Sequence, residues 1–245
     1  MASLHVLKDP KDVAHAAAAF VVDLSEKETR ASGRFTVALA GGSSPRMLYE
    51  LLATSPHADW IARDGWQVFW GDERPVPSDN RDSNYRMVRE SLLDQVPVPA
   101  HRVQRIRGEA PSQIAAKEYE DELREVFDGP VPAFDLILLD LGEDGHTASL
   151  FPGSRALDEK SRLVVAPWVS HLGTYRIAFT LPLINASKTV LFLVTDESKA
   201  PVLRQVMGPG PGDPRLPASL VRPTPGVAHW FLTRAAVGRL QGTEA

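Results

Sequence analysis

Cysteine is absent from all 245 residues, which excludes disulfides, thiolate zinc sites, iron–sulfur clusters and cysteine nucleophiles. Long hydrophobic runs are missing as well. The most apolar N-terminal stretch, Val13 to Val22 (VAHAAAAFVV), is interrupted by His15 and preceded by Asp9 and Asp12, so it reads as an amphipathic first helix rather than an export signal. Nothing approaches the roughly 18 apolar residues that span a bilayer. Neither sign of charge dominates: 27 Lys+Arg against 31 Asp+Glu leave −4. That balance provides no broad basic surface for nucleic acid or anionic membrane, and leaves room only for a local basic pocket suited to a small anion. The expectation is a soluble, cytoplasmic protein with a small-molecule ligand, no nucleic-acid partner and no membrane association. A monomer is favoured, although oligomeric state is not written in these features.

Several signature motifs are also missing. There is no G-x-G-x-x-G and no GK[ST], which argues against a dinucleotide or ATP. No H-E-x-x-H or comparable paired-histidine spacing offers a zinc site, and no G-x-S-x-G elbow offers a serine nucleophile. Neither metal nor cofactor is therefore expected.

What is present is an alternation. Apolar runs at 35–40 (FTVALA), 67–70 (QVFW), 134–139 (FDLILL), 176–180 (RIAFT), 190–195 (VLFLVT) and 229–232 (HWFL) read as strands. Helical patterns cover 11–32, 45–54, 83–96, 111–127 and 196–207. Near-continuous apolarity without strict alternation marks strands covered on both faces. Strand and helix in turn predict an α/β fold, Rossmann-like, with a largely parallel sheet flanked by helices. Composition is 43% hydrophobic, sufficient for a sizeable core, and a single domain over 1–245 is the reading. Proline is enriched, 20 of 245, and much of the excess is local, as in the turn-rich 208–217 loop. In such sheets ligands bind beyond the carboxyl ends of the strands, so the loops that follow strands come first.

After the first of these strands comes Gly41-Gly42-Ser43-Ser44-Pro45. Glycines allow backbone amides to approach an anion, Ser44 can cap the helix and Pro45 suits its first turn. The turn reads either as a phosphate cradle or as a plain capped connection. Next, WGDERPVPSDNRDSNY (70–85) places Asp72, Glu73 and Arg74 in a loop. Arg74 can hold phosphate oxygens bidentately and Asp72 or Glu73 can move a proton; a solvated turn, with Ser83 capping the next helix, is the plainer alternative. LGEDGHTASLFPG (141–153) follows the most apolar strand and presents His146 from a tight turn beside Asp144. Imidazole accepts a proton from water near neutral pH and a carboxylate can set its tautomer, though a turn-capping histidine would look the same. Lys199, in TDESKA, and Arg176, ahead of IAFT, are further cationic candidates that alone read as surface residues.

These segments, taken together with RIAFTLPLINASKTVLFLVTDESKA and PASLVRPTPGVAHWFL, resemble the 6-phosphogluconolactonases over most of the chain. That family is related to the glucosamine-6-phosphate deaminases and isomerases and shares with them a modified Rossmann-like fold that binds no nucleotide. The resemblance implies hydrolysis of 6-phospho-D-glucono-1,5-lactone, the second step of the oxidative pentose phosphate pathway, without metal or cofactor. It makes His146 the group that activates water on the lactone carbonyl, with Asp144 in support and Asp72 across the pocket. Gly42, Ser43, Ser44, Arg74, Lys199 and, less directly, Arg176 would hold the 6-phosphate. Asp140 stands where many relatives carry glycine, and the loop Pro167–Tyr175 (PWVSHLGTY) departs from the expected proline-rich pattern, which leaves the role of His171 open.

Two other functions are considered. An amino-sugar-phosphate deaminase would place glutamate five residues past the histidine to assist ring opening, and Phe151 stands there instead. A non-catalytic sugar-phosphate sensor would need an output module, and no helix-turn-helix or basic arm is evident.

Overall fold

The strands are β1 (Ser3–Leu7), β2 (Phe35–Leu39), β3 (Trp66–Trp70), β4 (Asp72–Glu73), β5 (Leu136–Leu139), β6 (Val164–Val165), β7 (Trp168–Val169), β8 (Thr174–Tyr175), β9 (Ile177–Phe179), β10 (Thr189–Val194) and β11 (Val227–Thr233). These elements come from a computed structural model that describes residues 2–61, 65–208, 213, 215–224 and 226–238. Six strands form one parallel sheet in the order β1-β11-β10-β5-β2-β3. Every residue of β2, β5 and β10 is buried, the result expected when both faces are covered.

One covering layer begins with α1 (Pro10–Ser32). Asp9 Oδ1 accepts the Lys11 and Asp12 amides at 3.0 Å, and Gly33, at φ 76°, closes the helix, an N-cap and left-handed C-cap of the usual kinds. Its buried stripe runs through Val13, Ala14, Ala17, Ala18, Val21 and Val22 while His15 faces solvent. The apolar N-terminal run is thus one side of an amphipathic helix, and among the described residues no helix is long and apolar enough to cross a membrane. Then come α2 (Ser43–Leu52), α3 (His57–Ile61), α4 (Asn84–Val88) and α5 (Ser112–Val126). The 83–96 pattern is an α turn followed by a π turn, Arg89–Leu93. The 196–207 pattern opens as a 3₁₀ turn and is α-helical only over Ala200–Val206.

The strands differ from expectation in several places. The 176–180 run does not join the main sheet: β9 lies between β4 and β6 in a separate antiparallel sheet. Its apolarity comes from burial between α5 and the main sheet, where Phe179 meets Phe134 at 5.4 Å and Tyr119 at 6.0 Å; such burial looks the same in either kind of sheet. Asp72 and Glu73, expected in a loop, are β4 itself. Conversely β1 was not anticipated, because SLHVL at a sheet edge is too short and too mixed to stand out. Half of the 208–217 loop, residues 209–212 and 214, lies outside the described residues.

A polar clamp joins the amino-terminal ends of β2 and β5. Asp135, 4% exposed, accepts the Thr36 amide at 2.7 Å and the Thr36 hydroxyl at 2.8 Å, and pairs with Lys188 at 2.7 Å. Lys188 also bonds Glu28 of α1 at 2.7 Å. Removing one member of a buried pair strands its partners. Asp135→Ala is expected to lower unfolding free energy by about 3 kcal/mol, read as a lower urea midpoint with unchanged slope; a loss under about 1 kcal/mol would show that water replaces the carboxylate.

Candidate active site

Connections from β2 run outward to β3, whereas those from β5 run the other way to β10, and β2 and β5 are neighbours. A parallel sheet splits its loops apart at such a reversal and leaves a crevice at the carboxyl ends. The loops after β2, β3, β5 and β10 meet there.

The β5 loop presents an imidazole. Its turn is closed by Gly142 N–H to His146 O at 2.9 Å and Gly145 N–H to Gly142 O at 3.0 Å, with Gly145 at φ 83°. Asp144 Oδ1 accepts the His146 amide at 3.0 Å and lies 2.6 Å from Nδ1. That contact holds the proton on Nδ1 and leaves Nε2, which has no partner among the described residues, as the basic nitrogen. Burial opposes charge on Asp144, but the His146 amide and ring outweigh it, so the carboxyl sits below its usual range. The imidazole lies flat against Gly142, where a Cβ would come within 2.0 Å of Nδ1. The ring also meets Phe151, with centroids 4.4 Å apart and planes tilted by 33°, and His171 stands edge-on to Phe151 at 5.1 Å.

Asp72 faces this turn from β4. Ser149 donates to its Oδ2, and Asn84 Nδ2 donates to its backbone oxygen at 3.0 Å and to Oδ1 at 3.3 Å. The Asn84 amide in turn rests on Gly41, where a Cβ would meet Oδ1 at 1.9 Å. Glu73, 2% exposed, has a different task. It accepts the Arg74, Asn84 and Tyr85 amides and the Ser83 hydroxyl at 2.8–3.0 Å, and so folds the 74–85 loop rather than serving as a proton carrier. Burial nonetheless raises its carboxyl above the usual range. Ser83 caps α4 by accepting the Arg86 amide. Arg74 donates to the Asp82 carbonyl. Burial, followed by the nearby Arg74 charge, lowers Arg176 below its ordinary value.

Two contiguous hollows result. The inner one, about 160 Å³, is lined by Gly41, Gly42, Asn84, Asp140 and Leu141. The outer, about 460 Å³, adds Glu143, Asp144, Phe151, His171, Leu172 and Arg176. His146, Asp72, Arg74 and Lys199 line both, and Lys199 makes no ion pair with any described residue. The hydroxyls of Ser43 and Ser44 stand apart from the lining. The helix begins two residues earlier than expected, with Gly42 as its N-cap and no side-chain cap; Ser44 is inside it, buried, and bonds Thr195 at 2.7 Å. Ser44 thereby ties α2 to the end of β10 instead of capping the helix. Among the described residues no group of three or more His, Asp or Glu side chains gathers as a metal site.

The family model for glucosamine-6-phosphate isomerases and 6-phosphogluconolactonases matches residues 8–230. The chain belongs to that family. It is 39% identical to a 6-phosphogluconolactonase of Haemophilus influenzae over 82% of this chain and 85% of that one, and 41% identical to one of Nostoc sp. over 85% of each. The solved 6-phosphogluconolactonase of Trypanosoma brucei superposes with a TM-score of 0.89 at 28% identity, covering 98% of this chain and 99% of that one.

Sequence reading of this lactonase-family site missed Asn84, Ser149, Phe151 as an imidazole wall, and Asp140. The first two are ordinary polar residues whose partner, Asp72, is distant in sequence; only the glycine at 41 hinted that something must pack there. Asp140 was noticed as a departure without a place. Burial pushes its carboxyl up to about 6, against the opposing Leu141 amide and the Lys199 and His146 charges.

Two predictions follow from these contacts. Gly142→Ala should displace the His146 ring, seen as altered imidazole nitrogen resonances in a protein that still unfolds cooperatively; unchanged resonances would remove Gly142 from the site. The second concerns pH. The Asp140 carboxyl titrates at about 6 in the fold against 3.8 ordinarily, so the folded state holds the extra proton between those values and stability falls as pH rises through that window. Asp140→Asn should accordingly raise Tm more at pH 8 than at pH 4, by several degrees; equal shifts at both would place the group in water.

Proposed function

We propose that the chain is a single lactonase domain, soluble and cytoplasmic, that hydrolyses 6-phospho-D-glucono-1,5-lactone to 6-phospho-D-gluconate. The carrying observation is that an Asp144-oriented imidazole shares one cleft with Arg74, Arg176 and Lys199. One chain supplies all of these, so a monomer suffices.

The geometry supports a short reaction path. Cationic groups take the 6-phosphate and spend that remote binding energy on holding C1 near His146. Water beside Nε2 attacks C1 as its proton passes to the ring, and the Nδ1 proton shared with Asp144 stabilises the imidazolium. The tetrahedral oxyanion then collapses with cleavage of the bond from C1 to the ring oxygen, which takes the proton back from Nε2. Proton count balances, and the freed acid ionises. A δ-lactone is an activated ester, so neither a covalent nucleophile nor a metal is demanded. Asp72, held by Ser149 and Asn84, faces the same space and is proposed to orient the substrate or its water. For the phosphate, Gly42 and the opening backbone of α2 are better placed than the Ser43 and Ser44 hydroxyls.

Ring-opening deamination is disfavoured by Phe151. It is 8% exposed and packed on the imidazole, where the alternative chemistry needs a carboxylate.

Acid release from freshly prepared phosphorylated lactone, with the unphosphorylated lactone as control, tests the reading. His146→Ala should reduce kcat about 10²–10⁴-fold, the usual worth of a positioned base; an undiminished variant moves that role elsewhere. Lys199→Ala and Arg74→Ala should each raise KM for the phosphorylated lactone about tenfold or more while leaving the control nearly unchanged. Equal wild-type rates on both lactones would sink the phosphate anchor.

A further inference from the structure

The inner hollow contains an acid for which the path above has no task. Asp140 follows β5, and its Oδ1 accepts the Leu141 amide at 2.7 Å. Its Oδ2 has no hydrogen-bond partner among the described residues and is turned toward the Gly42 bend, where a Cβ on residue 42 would lie 2.8 Å from it. That oxygen therefore sits beside the start of α2, in the hollow that Lys199 and Arg74 also line.

An ionised carboxylate can only accept hydrogen bonds and repels an incoming anion; a carboxylic acid can donate one. We propose that Asp140 is a proton-coupled binding residue: when the substrate's phosphate occupies the inner hollow, one proton from solvent is taken onto Oδ2, which then donates to a phosphate oxygen. The proton returns to solvent when the product leaves. No covalent bond is made or broken. This proposal rests on the reading that the phosphate occupies the inner hollow.

The surroundings make that uptake inexpensive. Lys199 from the β10 side and His146 on the same loop favour the ionised form, whereas burial and Asp196 oppose it. Tyr49 of α2 is bonded to Ala40 and its phenol is raised far above the usual range by burial, so it stays neutral. Asp72 and Arg74 complete the charged lining. With the carboxyl already near 6, about 3% of molecules carry the proton at pH 7.5. Anion affinity there should be about 30-fold weaker than in a permanently neutral pocket.

The test uses inorganic sulfate, which does not titrate near neutrality. Calorimetric titration at pH 7.5 in two buffers of different ionisation enthalpy should show close to one proton taken up per sulfate. Asp140→Asn should show nearly none and bind sulfate about 30-fold more tightly. Uptake that persists in Asp140→Asn belongs to His146 and overturns the proposal. As a second readout, the ratio of wild-type to Asp140→Asn KM for the phosphorylated lactone should rise about 30-fold between pH 5 and 7.5; a constant ratio, or no sulfate binding with a constant ratio, also overturns it. The two readings fail separately. Sulfate-linked uptake without lactone hydrolysis defeats the proposed activity alone, and hydrolysis with identical uptake in both proteins defeats the role of Asp140 alone.

Discussion

Everything at this site depends on β2 and β5 being hydrogen-bonded neighbours although Phe35 and Leu136 are far apart in the chain. Parallel pairing points both strands the same way, so the Gly41–Gly42 bend and the His146 turn leave the sheet side by side. Strands buried on both faces cannot shift register without exposing apolar side chains, and the Asp135–Thr36 clamp ties their other ends together. The core thereby fixes the separation of two loops that share no covalent constraint.

Around that crevice, acids and bases are placed so that each has a different electrostatic fate. Asp144 is drawn down by the His146 amide and ring against its burial and stays ionised beside the imidazole. Glu73 is buried under four donors and acts as a scaffold. Asp140 is left with one donor, the Leu141 amide, and a second oxygen in the hollow that Lys199 and Arg74 also line, where burial raises its carboxyl. Arg176 is depressed by burial and then by the neighbouring Arg74 charge, and with Lys199 these cations line one cleft, an arrangement expected of an anion-binding pocket rather than of solvated surface arginines.

Much of this was legible early. Runs such as FTVALA and VLFLVT are both too apolar and too short for surface helices, and the α1 stripe alternates cleanly. The DGH turn could be read because its glycines, carboxylate and histidine lie within a few residues, where local geometry alone brings them together. Other features could not. RIAFT looks the same whether it pairs in a parallel or an antiparallel sheet, since burial and not partner direction selects its residues. Ser44 fits an N-cap by type, but the helix starts earlier and Thr195, 151 positions away, claims its hydroxyl.

The amino-acid sequence by itself determined the alternation of elements, the local turns that expose His146 and Gly42, and the exclusion of thiol chemistry, because each of these is settled by neighbours along the chain. Only the tertiary structure decided that Ser149 holds Asp72, that Ser44 bonds Thr195 and that the Asp140 oxygen faces the Gly42 bend. Those are contacts between residues tens of positions apart, and their energies exist only once a twisted parallel sheet has brought its loops to a common edge.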